Sequence, residues 1–377
     1  MTSADRPATR LATRLSFLVA GFGLACWAPL VPFAKERLGV DDAVLGLLLL
    51  SLGIGSVVAM LATGVLTARY GSKPIIIAGG VGLALALPLL ALAGTPVTLA
   101  MALLAFGAAL GSIDVAMNIH AVEVERAARE PLMSGFHALF SIGGFAGSAV
   151  MTALLSFRLG PLACTLICSA LMLMAMALAS PRLLRRAQAQ EGPLFVLPHG
   201  IVLLLALLAA ITFLIEGAML DWGALLVIGE RLVSEAQGGI GYIVFSIAMT
   251  AGRLGGDAVV ARIGDRATLV GGSLLAVAGL AVLLLAPTAD VAIAGFLLIG
   301  LGASNLVPVL FRGAARQTAM PTGLAVASIT TAGYAGVLVG PAGIGFVAHA
   351  VGLPTAFWML AMLMCLVTLS AGAVTRK

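Results

Sequence analysis

The chain is poor in charge. Of its 377 residues only 10% are charged and 6% are aromatic, whereas 61% are hydrophobic. Soluble globular chains carry about 25% charged residues, so this chain has too little polar surface to face water on all sides. That excludes a soluble enzyme, a nucleic-acid-binding domain and a disordered protein. Long unbroken apolar runs and 46 glycines favour closely packed membrane helices over a β-barrel, whose strands alternate polar with apolar residues.

Motifs for cofactors, metals and catalysis are also missing. No G-x-x-x-x-G-K-[ST] phosphate-binding motif occurs. Cys164 and Cys168 share a helix face, but no histidine lies near them, which makes a poor metal site. Ser134 and His137 are neighbours on one predicted helix, yet no nucleophile-elbow motif accompanies them. We therefore expect no enzyme, no metal and no cofactor. The expected partners of a monomeric protein are a small-molecule solute, protons and the lipid bilayer.

Twelve stretches are long and apolar enough to cross a bilayer, which takes about 20 residues. We predict them near residues 13–34, 44–66, 74–94, 97–120, 134–157, 160–180, 199–221, 238–260, 268–287, 291–311, 322–348 and 354–374. The longest polar connection lies at the midpoint. The expected fold is an all-α membrane protein of twelve transmembrane helices. These form two pseudo-symmetric six-helix bundles, residues 1–185 and 199–377, joined by a cytoplasmic linker at residues 186–198.

The basic residues predict the orientation. With a cytoplasmic N-terminus, sixteen of the 21 lysines and arginines fall on the cytoplasmic side. They are Arg6, Arg10, Arg14, Arg69, Lys73, Arg126, Arg129, Arg182, Arg185, Arg186, Arg262, Arg266, Arg312, Arg316, Arg376 and Lys377. The positive-inside rule therefore predicts a multi-pass protein of the cell inner membrane with both termini cytoplasmic. The net charge of +5 is a signal of topology and indicates no binding to nucleic acid.

The two halves repeat at an offset of 193 residues. The segment T-A-R-Y-G-S-K at residues 67–73 corresponds to V-A-R-I-G-D-R at residues 260–266, and Gly143 and Gly147 fall on Gly336 and Gly340. A parallel repeat of six spans around a central cytoplasmic loop is the layout of the major facilitator superfamily. Residues 64–73 resemble its loop signature G-x-x-x-D-R-x-G-x-[RK], with alanine in place of the usual aspartate.

A narrower resemblance rests on three segments within the predicted spans. D-V-A-M-N at residues 114–118, G-F-H-A-L-F-S-I-G-G at residues 135–144 and E-G-A-M-L-D-W at residues 216–222 resemble the branch of the superfamily that contains YbjJ and MosC. That branch is similar to the L-fucose/proton symporters. The resemblance implies a secondary transporter with sugar-like or polyol-like substrates.

Ionisable groups within the spans are candidates for proton coupling, because a charge at the bilayer centre costs about 2.5–3.5 kcal/mol. Asp114 and Asn118 lie four residues apart on one helix face, and His137 lies about one turn into the next span. A shielded carboxyl group can hold a proton, histidine can pass one, and asparagine can bind a hydroxylated solute. The resemblance implies that Asp114 takes part in proton coupling. The alternative is a structural hydrogen-bond network that joins these two spans.

Glu216 is a second acid within a span and is a candidate for proton coupling or for an outer gate. The fucose symporters have an acid on span one that this chain lacks. Trp27 precedes two prolines, which kink helices, so its ring is a candidate to stack on a sugar; plain packing is the alternative. Asn305 and Tyr334 are candidates for the second half of a solute pocket.

Four further charged residues are candidates for an inner gate. Arg253 and Asp257 are four residues apart, which suits either an intrahelical ion pair or a gate. Arg69 and Arg262 follow the second and eighth spans. The leading hypothesis is a secondary active transporter of a small polar, sugar-like or polyol-like solute, working by alternating access and proton-coupled symport. The alternative is a proton-coupled exporter of drug-like or metabolite molecules.

Overall fold

A computed structural model describes residues 7–40, 42–184, 197–233 and 240–375. Within these ranges the chain is helical and forms no strand. The α-helices are α1 (Pro7–Trp27), α2 (Val31–Leu38), α3 (Asp42–Tyr70), α4 (Ser72–Leu92), α5 (Pro96–Ala128), α6 (Met133–Ser156), α7 (Pro161–Ala179), α8 (Ile201–Asp221), α9 (Gly223–Gly229), α10 (Ile240–Leu284), α11 (Ala289–Ala303), α12 (Leu306–Arg316), α13 (Thr322–Val351) and α14 (Leu353–Val374). The predicted all-α class is confirmed.

Ten helical stretches of the described residues are long and apolar enough to cross a membrane. One of them, α10, has 45 residues and covers two of the predicted spans, with a non-helical backbone at Gly264 between them. A multi-pass protein is therefore confirmed, and the total of twelve spans stays a prediction. Most of the predicted linker at residues 186–198 lies outside the described residues.

The described residues divide into two compact units. The first takes the residues up to Arg129 and those from Phe136 to Leu184, and the second takes Glu130–Gly135 and the residues from Leu197 onwards. The start of α6 therefore belongs to the second unit. Each unit has its own buried apolar core, with Phe17 and Phe106 in the first and Phe296 and Phe357 in the second.

The repeat seen in the sequence extends to the backbone. Gly71, between α3 and α4, has φ 83° and ψ 164°, and Gly264, inside α10, has φ 78° and ψ 167°. These two glycines are 193 residues apart. A residue with a side chain is disfavoured at such positive φ values, which explains why both copies of the loop carry glycine at this position.

Helix packing within the two units also repeats. A Cβ at Gly107 of α5 would overlap the carbonyl oxygen of Leu52 in α3, and a Cβ at Gly300 would overlap the carbonyl oxygen of Phe245. Both members of the second pair are 193 residues beyond those of the first. Such close approaches need small residues. Similarly, Gly143 and Gly147 of α6 face carbonyls of α1, and Gly336 of α13 faces a carbonyl of α8, so the predicted role of these glycines in close packing is confirmed.

Two of the helical paths are interrupted. After Trp27 the chain makes a 3₁₀ turn at Ala28–Leu30 before α2 begins, which confirms the kink predicted from Pro29 and Pro32. In the second unit α11 ends at Ala303 and α12 begins at Leu306, with Pro308 in its first turn. Interrupted helices leave backbone groups free to bind side chains or solutes.

Candidate functional site

In the first unit, Asp114 and Asn118 form one buried polar pair on α5. The Asn118 amide nitrogen donates to the backbone oxygen of Asp114 at 2.9 Å and to its carboxylate oxygen Oδ1 at 3.2 Å. Asp114 is 7% exposed and Asn118 is 1% exposed. Among the described residues, Asn118 Oδ1 has no hydrogen-bond partner. The predicted shared face is confirmed, and this oxygen is an acceptor that a hydroxyl donor would satisfy.

His137 lies one turn into α6, as the sequence predicts. Its ring meets the ring of Phe17 edge-on, with centroids 5.2 Å apart, and Phe17 also stacks on Phe136 at 5.8 Å. These contacts fix the imidazole against α1. A meeting of His137 with Asp114 and Asn118 at one depth stays a prediction.

Trp27 is buried at the end of α1. Its side chain is 5% exposed, and its indole N–H has no hydrogen-bond partner among the described residues. A buried indole usually finds a partner for this N–H. The unmatched donor favours a role beyond plain packing, because a solute hydroxyl could accept its hydrogen bond.

The sequence did not single out His120, which is fully buried in α5. The backbone N–H of Leu184 donates to His120 Nε2 at 3.1 Å, so Nδ1 carries the hydrogen and donates to Thr13 Oγ1 at 3.2 Å. The Thr13 hydroxyl then donates to the Thr9 carbonyl at 2.9 Å. Every polar atom of the ring is satisfied in the neutral form. His120 therefore links α5 by hydrogen bonds to α1 and to Leu184, near the end of the first half.

In the second unit, Glu216 of α8 pairs with Arg253 of α10. Arg253 Nη2 lies 3.4 Å from Glu216 Oε1, with side chains 9% and 20% exposed, respectively. Arg253 Nε also donates to the carbonyl of Ser304 at 3.4 Å. Asp257 instead accepts hydrogen bonds from the backbone of Ser134 and Gly135. The intrahelical ion pair suggested by the spacing of Arg253 and Asp257 is therefore wrong. The packing of α8 on α10, which spacing along one helix does not reveal, supplies the acid.

Pro308 explains why the Ser304 carbonyl accepts from a side chain. In an α-helix the carbonyl of residue 304 would accept from the backbone N–H of residue 308, but proline has no N–H. The interruption between α11 and α12 thus exposes an acceptor at which Arg253 is anchored. A proline four residues after a buried polar residue was the sequence signal for this arrangement.

Asn305 lies in the same interruption. Its amide nitrogen donates to the Gly252 carbonyl at 3.0 Å and to Ser304 Oγ at 2.9 Å, and its Oδ1 has no partner among the described residues. A Cβ at Gly256 would overlap Oδ1, so that glycine makes room for the amide. Tyr334 lies on α13, with its ring 6.4 Å from that of Phe213. The structure thus places Asn305 next to Ser304, whose carbonyl contacts Arg253, and a contact of Tyr334 with the solute stays a prediction.

Asp257 caps a helix start within the second unit. Its carboxylate accepts from the backbone N–H groups of Ser134 at 3.0 Å and Gly135 at 2.8 Å. Arg312 Nη2 lies 3.8 Å from Asp257 Oδ1. Exposed N–H groups at a helix start favour a carboxylate, so Asp257 stabilises the first turn of α6. The sequence did not predict this role.

A second acid completes this charged cluster. Asp265 bonds Arg312 at 2.8 Å through one oxygen and Arg316 at 2.5 Å through the other. Of the other predicted gating residues, Arg69 has its guanidinium carbon 5.4 Å from the ring centre of Tyr70, and Arg262 is exposed. The gating roles of Arg69, Arg253, Asp257 and Arg262 stay predictions.

The chain is similar to known transporters over its whole length. The sequence profile of the Major Facilitator Superfamily matches residues 15–228. An uncharacterized MFS-type transporter of Yersinia pestis is 52% identical over 368 residues, 97% of this chain and 96% of the relative. Membrane protein MosC of Rhizobium meliloti is 32% identical over 354 residues, 93% of this chain and 86% of that protein.

Among solved structures, the chain is similar to FucP, the fucose:proton symporter of E. coli. Two structures of that protein align with all of both chains, with TM-scores of 0.77 and 0.76 and identities of 17% and 16%. At this identity the likeness shows the fold alone. Together with the matching profile and the two closer relatives, it shows that the chain belongs to the major facilitator superfamily of membrane transporters.

Proposed function

We propose that this protein is a secondary active transporter that moves a small polar, sugar-like or polyol-like solute by proton-coupled symport. The observation that carries the proposal is the buried Asp114–Asn118 pair, in which the acid is within reach of an amide whose oxygen lacks a partner. Retaining such groups inside an apolar bundle is costly. Their retention is explained if a proton and a hydroxylated solute complete the site during transport.

The proposal gives each polar group a role. Asp114 takes up the proton, His137 relays it, and Glu216 is the second coupling acid. Asn118 Oδ1 accepts from a solute hydroxyl, and the Trp27 indole N–H donates to one; a hydroxyl serves both because it is donor and acceptor. Asn305, whose Oδ1 also lacks a partner, and Tyr334 serve the solute from the second half.

Alternating access provides the movement. Residues 1–185 and 199–377 act as two bodies joined by the linker at residues 186–198, in a monomer embedded in the inner membrane with cytoplasmic termini. Arg69, Arg253, Asp257 and Arg262 act as gating groups.

Uptake into liposomes tests the proposal. Protein in liposomes should accumulate a tritiated sugar or polyol when an inward proton gradient is imposed. Asp114→Asn should lower gradient-driven accumulation by about tenfold or more, the equivalent of ~1.4 kcal/mol, while solute exchange without a gradient continues, because the amide binds solute but carries no proton.

Asp290→Asn is the matched control, since it changes an exposed acid in the first turn of α11 and should leave uptake unchanged. Accumulation that survives both Asp114→Asn and Glu216→Gln would contradict the coupling roles.

The alternative is proton-coupled export of drug-like molecules or metabolites. It is favoured by a half-open apolar groove of about 420 Å³ along α8, α13 and α14, lined by residues such as Leu207, Ile211, Ile344 and Leu360. Extrusion of a cationic dye from the same liposomes, without uptake of any sugar or polyol, would support this function instead.

A further inference from the structure

The second unit holds a cation deep within a membrane-crossing helix. Arg253 lies eleven residues before the break at Gly264, or about 16 Å along α10 at 1.5 Å per residue. The hydrocarbon core is about 30 Å thick. The Cα of Arg253 therefore lies near the middle of the part of α10 that crosses this core. Its side chain is 9% exposed. Placing an arginine at this depth costs free energy. Solubility and membrane topology do not explain its presence there.

The arrangement fixes one side of this guanidinium. Nε bonds the Ser304 carbonyl that Pro308 leaves without a helical donor. Asn305, next along the chain, is held by the Gly252 carbonyl. The contact of Arg253 with the end of α11 is therefore made by a backbone carbonyl, which does not ionise.

The contact of Arg253 with Glu216 is as long as its contact with Ser304 and involves a single carboxylate oxygen. One carboxylate oxygen lies 3.4 Å from Nη2, whereas a tight charge-assisted bond measures about 2.7–2.9 Å and often involves both oxygens. The Glu216 side chain is also 20% exposed. A carboxylate held at one long contact, and only partly covered by the protein, is suited to exchange with another carboxylate. Tyr242 of α10 is close enough to feel the charges of Glu216, Arg253 and Asp221 of α8.

We propose that Arg253 binds the carboxylate of the transported solute, which makes that solute a sugar acid, and that Glu216 accepts a proton when the solute displaces it. This inference rests on the proposed symport of a sugar-like solute and narrows its chemical class. Before binding, Arg253 and Glu216 neutralise each other. Afterwards Arg253 neutralises the solute, and Glu216 is neutral because it has gained the proton. Glu216 therefore takes up one proton for each carboxylate that binds, and the site never holds two anions beside one cation, which would be costly in a low dielectric.

Matched pairs of probes test the proposal. Binding of radiolabelled D-gluconate and D-glucitol, and of D-glucuronate and D-glucose, is measured on purified protein in nanodiscs. At least one acid should bind about tenfold more tightly than its neutral partner, or ~1.4 kcal/mol. Its binding should strengthen as the solution becomes more acidic, down to the acidity at which the probe itself protonates, because Glu216 must take up a proton.

Variants separate the groups that form the site. Arg253→Gln should abolish the preference for the acid, and Arg253→Lys should restore it only in part, because lysine keeps the charge and lacks the fork. Glu216→Gln should bind the acid more tightly and without dependence on acidity. Pro308→Ala, which returns a backbone donor to Ser304, should weaken acid binding without any change in charge. Arg266→Gln is the control, since it removes an exposed arginine.

The outcomes distinguish this proposal from the one on which it rests. If no acid binds better than its neutral partner, or if Arg253→Gln keeps the preference, the sugar-acid proposal is wrong. Proton-driven uptake of a neutral sugar or polyol would then leave the proposed function standing. Acid binding that depends on Arg253 but gives no gradient-driven uptake would support the site and refute symport.

Discussion

At the scale of single residues, buried polar groups differ in whether their hydrogen bonds are complete. Asn118 and Trp27 each keep one polar atom without a partner among the described residues, whereas His120 has both ring nitrogens bonded. An unsatisfied buried group lowers stability and is retained where a ligand completes it. A fully satisfied group indicates a structural role. We therefore assign His120 to stability, although sequence reasoning treats histidines within spans as functional candidates.

Replacement of His120 tests this assignment. His120→Ala should lower the free energy of unfolding by about 1–3 kcal/mol, because the Leu184 N–H and the Thr13 hydroxyl lose a buried partner. Thermal unfolding of the purified protein in detergent measures the loss. His349→Ala, at an exposed histidine of α13, should change stability by less than about 0.5 kcal/mol. An equal effect of the two substitutions would show that His120 does not bridge these elements.

At the scale of helices, glycines set how closely neighbours approach. Gly107 of α5 faces the Leu52 carbonyl of α3 with no room for a methyl group. Gly271 of α10 is also helical, but nothing lies within 4 Å of the place where its Cβ would be. The same substitution should therefore have opposite effects at the two sites.

Gly107→Ala should destabilise the protein by about 1–3 kcal/mol, because α3 and α5 must move apart. Gly271→Ala should stabilise it by about 0.5–1 kcal/mol, because alanine restricts the unfolded chain and favours a helix. Thermal unfolding of both variants measures this difference. Destabilisation by Gly271→Ala would mean that α10 packs against a further surface there.

At the scale of the whole molecule, the orientation in the membrane is open to a direct test. The positive-inside rule places Arg266 in the cytoplasm and Asp290 outside, and both side chains are exposed. In a background with Cys365→Ala, the other cysteines are buried. A membrane-impermeant maleimide should label Asp290→Cys in intact spheroplasts, and Arg266→Cys only after permeabilisation. The reverse pattern would invert the predicted topology.

Sequence reasoning predicted the features that depend on local pattern. Helices follow from apolar runs, the interruption after Trp27 from its prolines, and the repeated loop from Gly71 and Gly264. It did not predict the partners of Arg253 and Asp257, because spacing along one helix suggested that they pair with each other. The actual partners come from α8, α12 and the start of α6, and only tertiary packing brings those elements together.

The repeated glycine contacts have a consequence for how such a protein changes over generations. The close approaches of Gly107 and Gly300 are the same in the two units, whereas Asp114 has Val307 at the corresponding position of the second. The residues that set helix packing and the polar residues proposed for transport therefore form separate sets. A duplicated ancestor could acquire a new acid, amide or guanidinium in one copy without disturbing the contacts that let its helices assemble. The set of transported compounds can therefore change during evolution with little loss of folding stability.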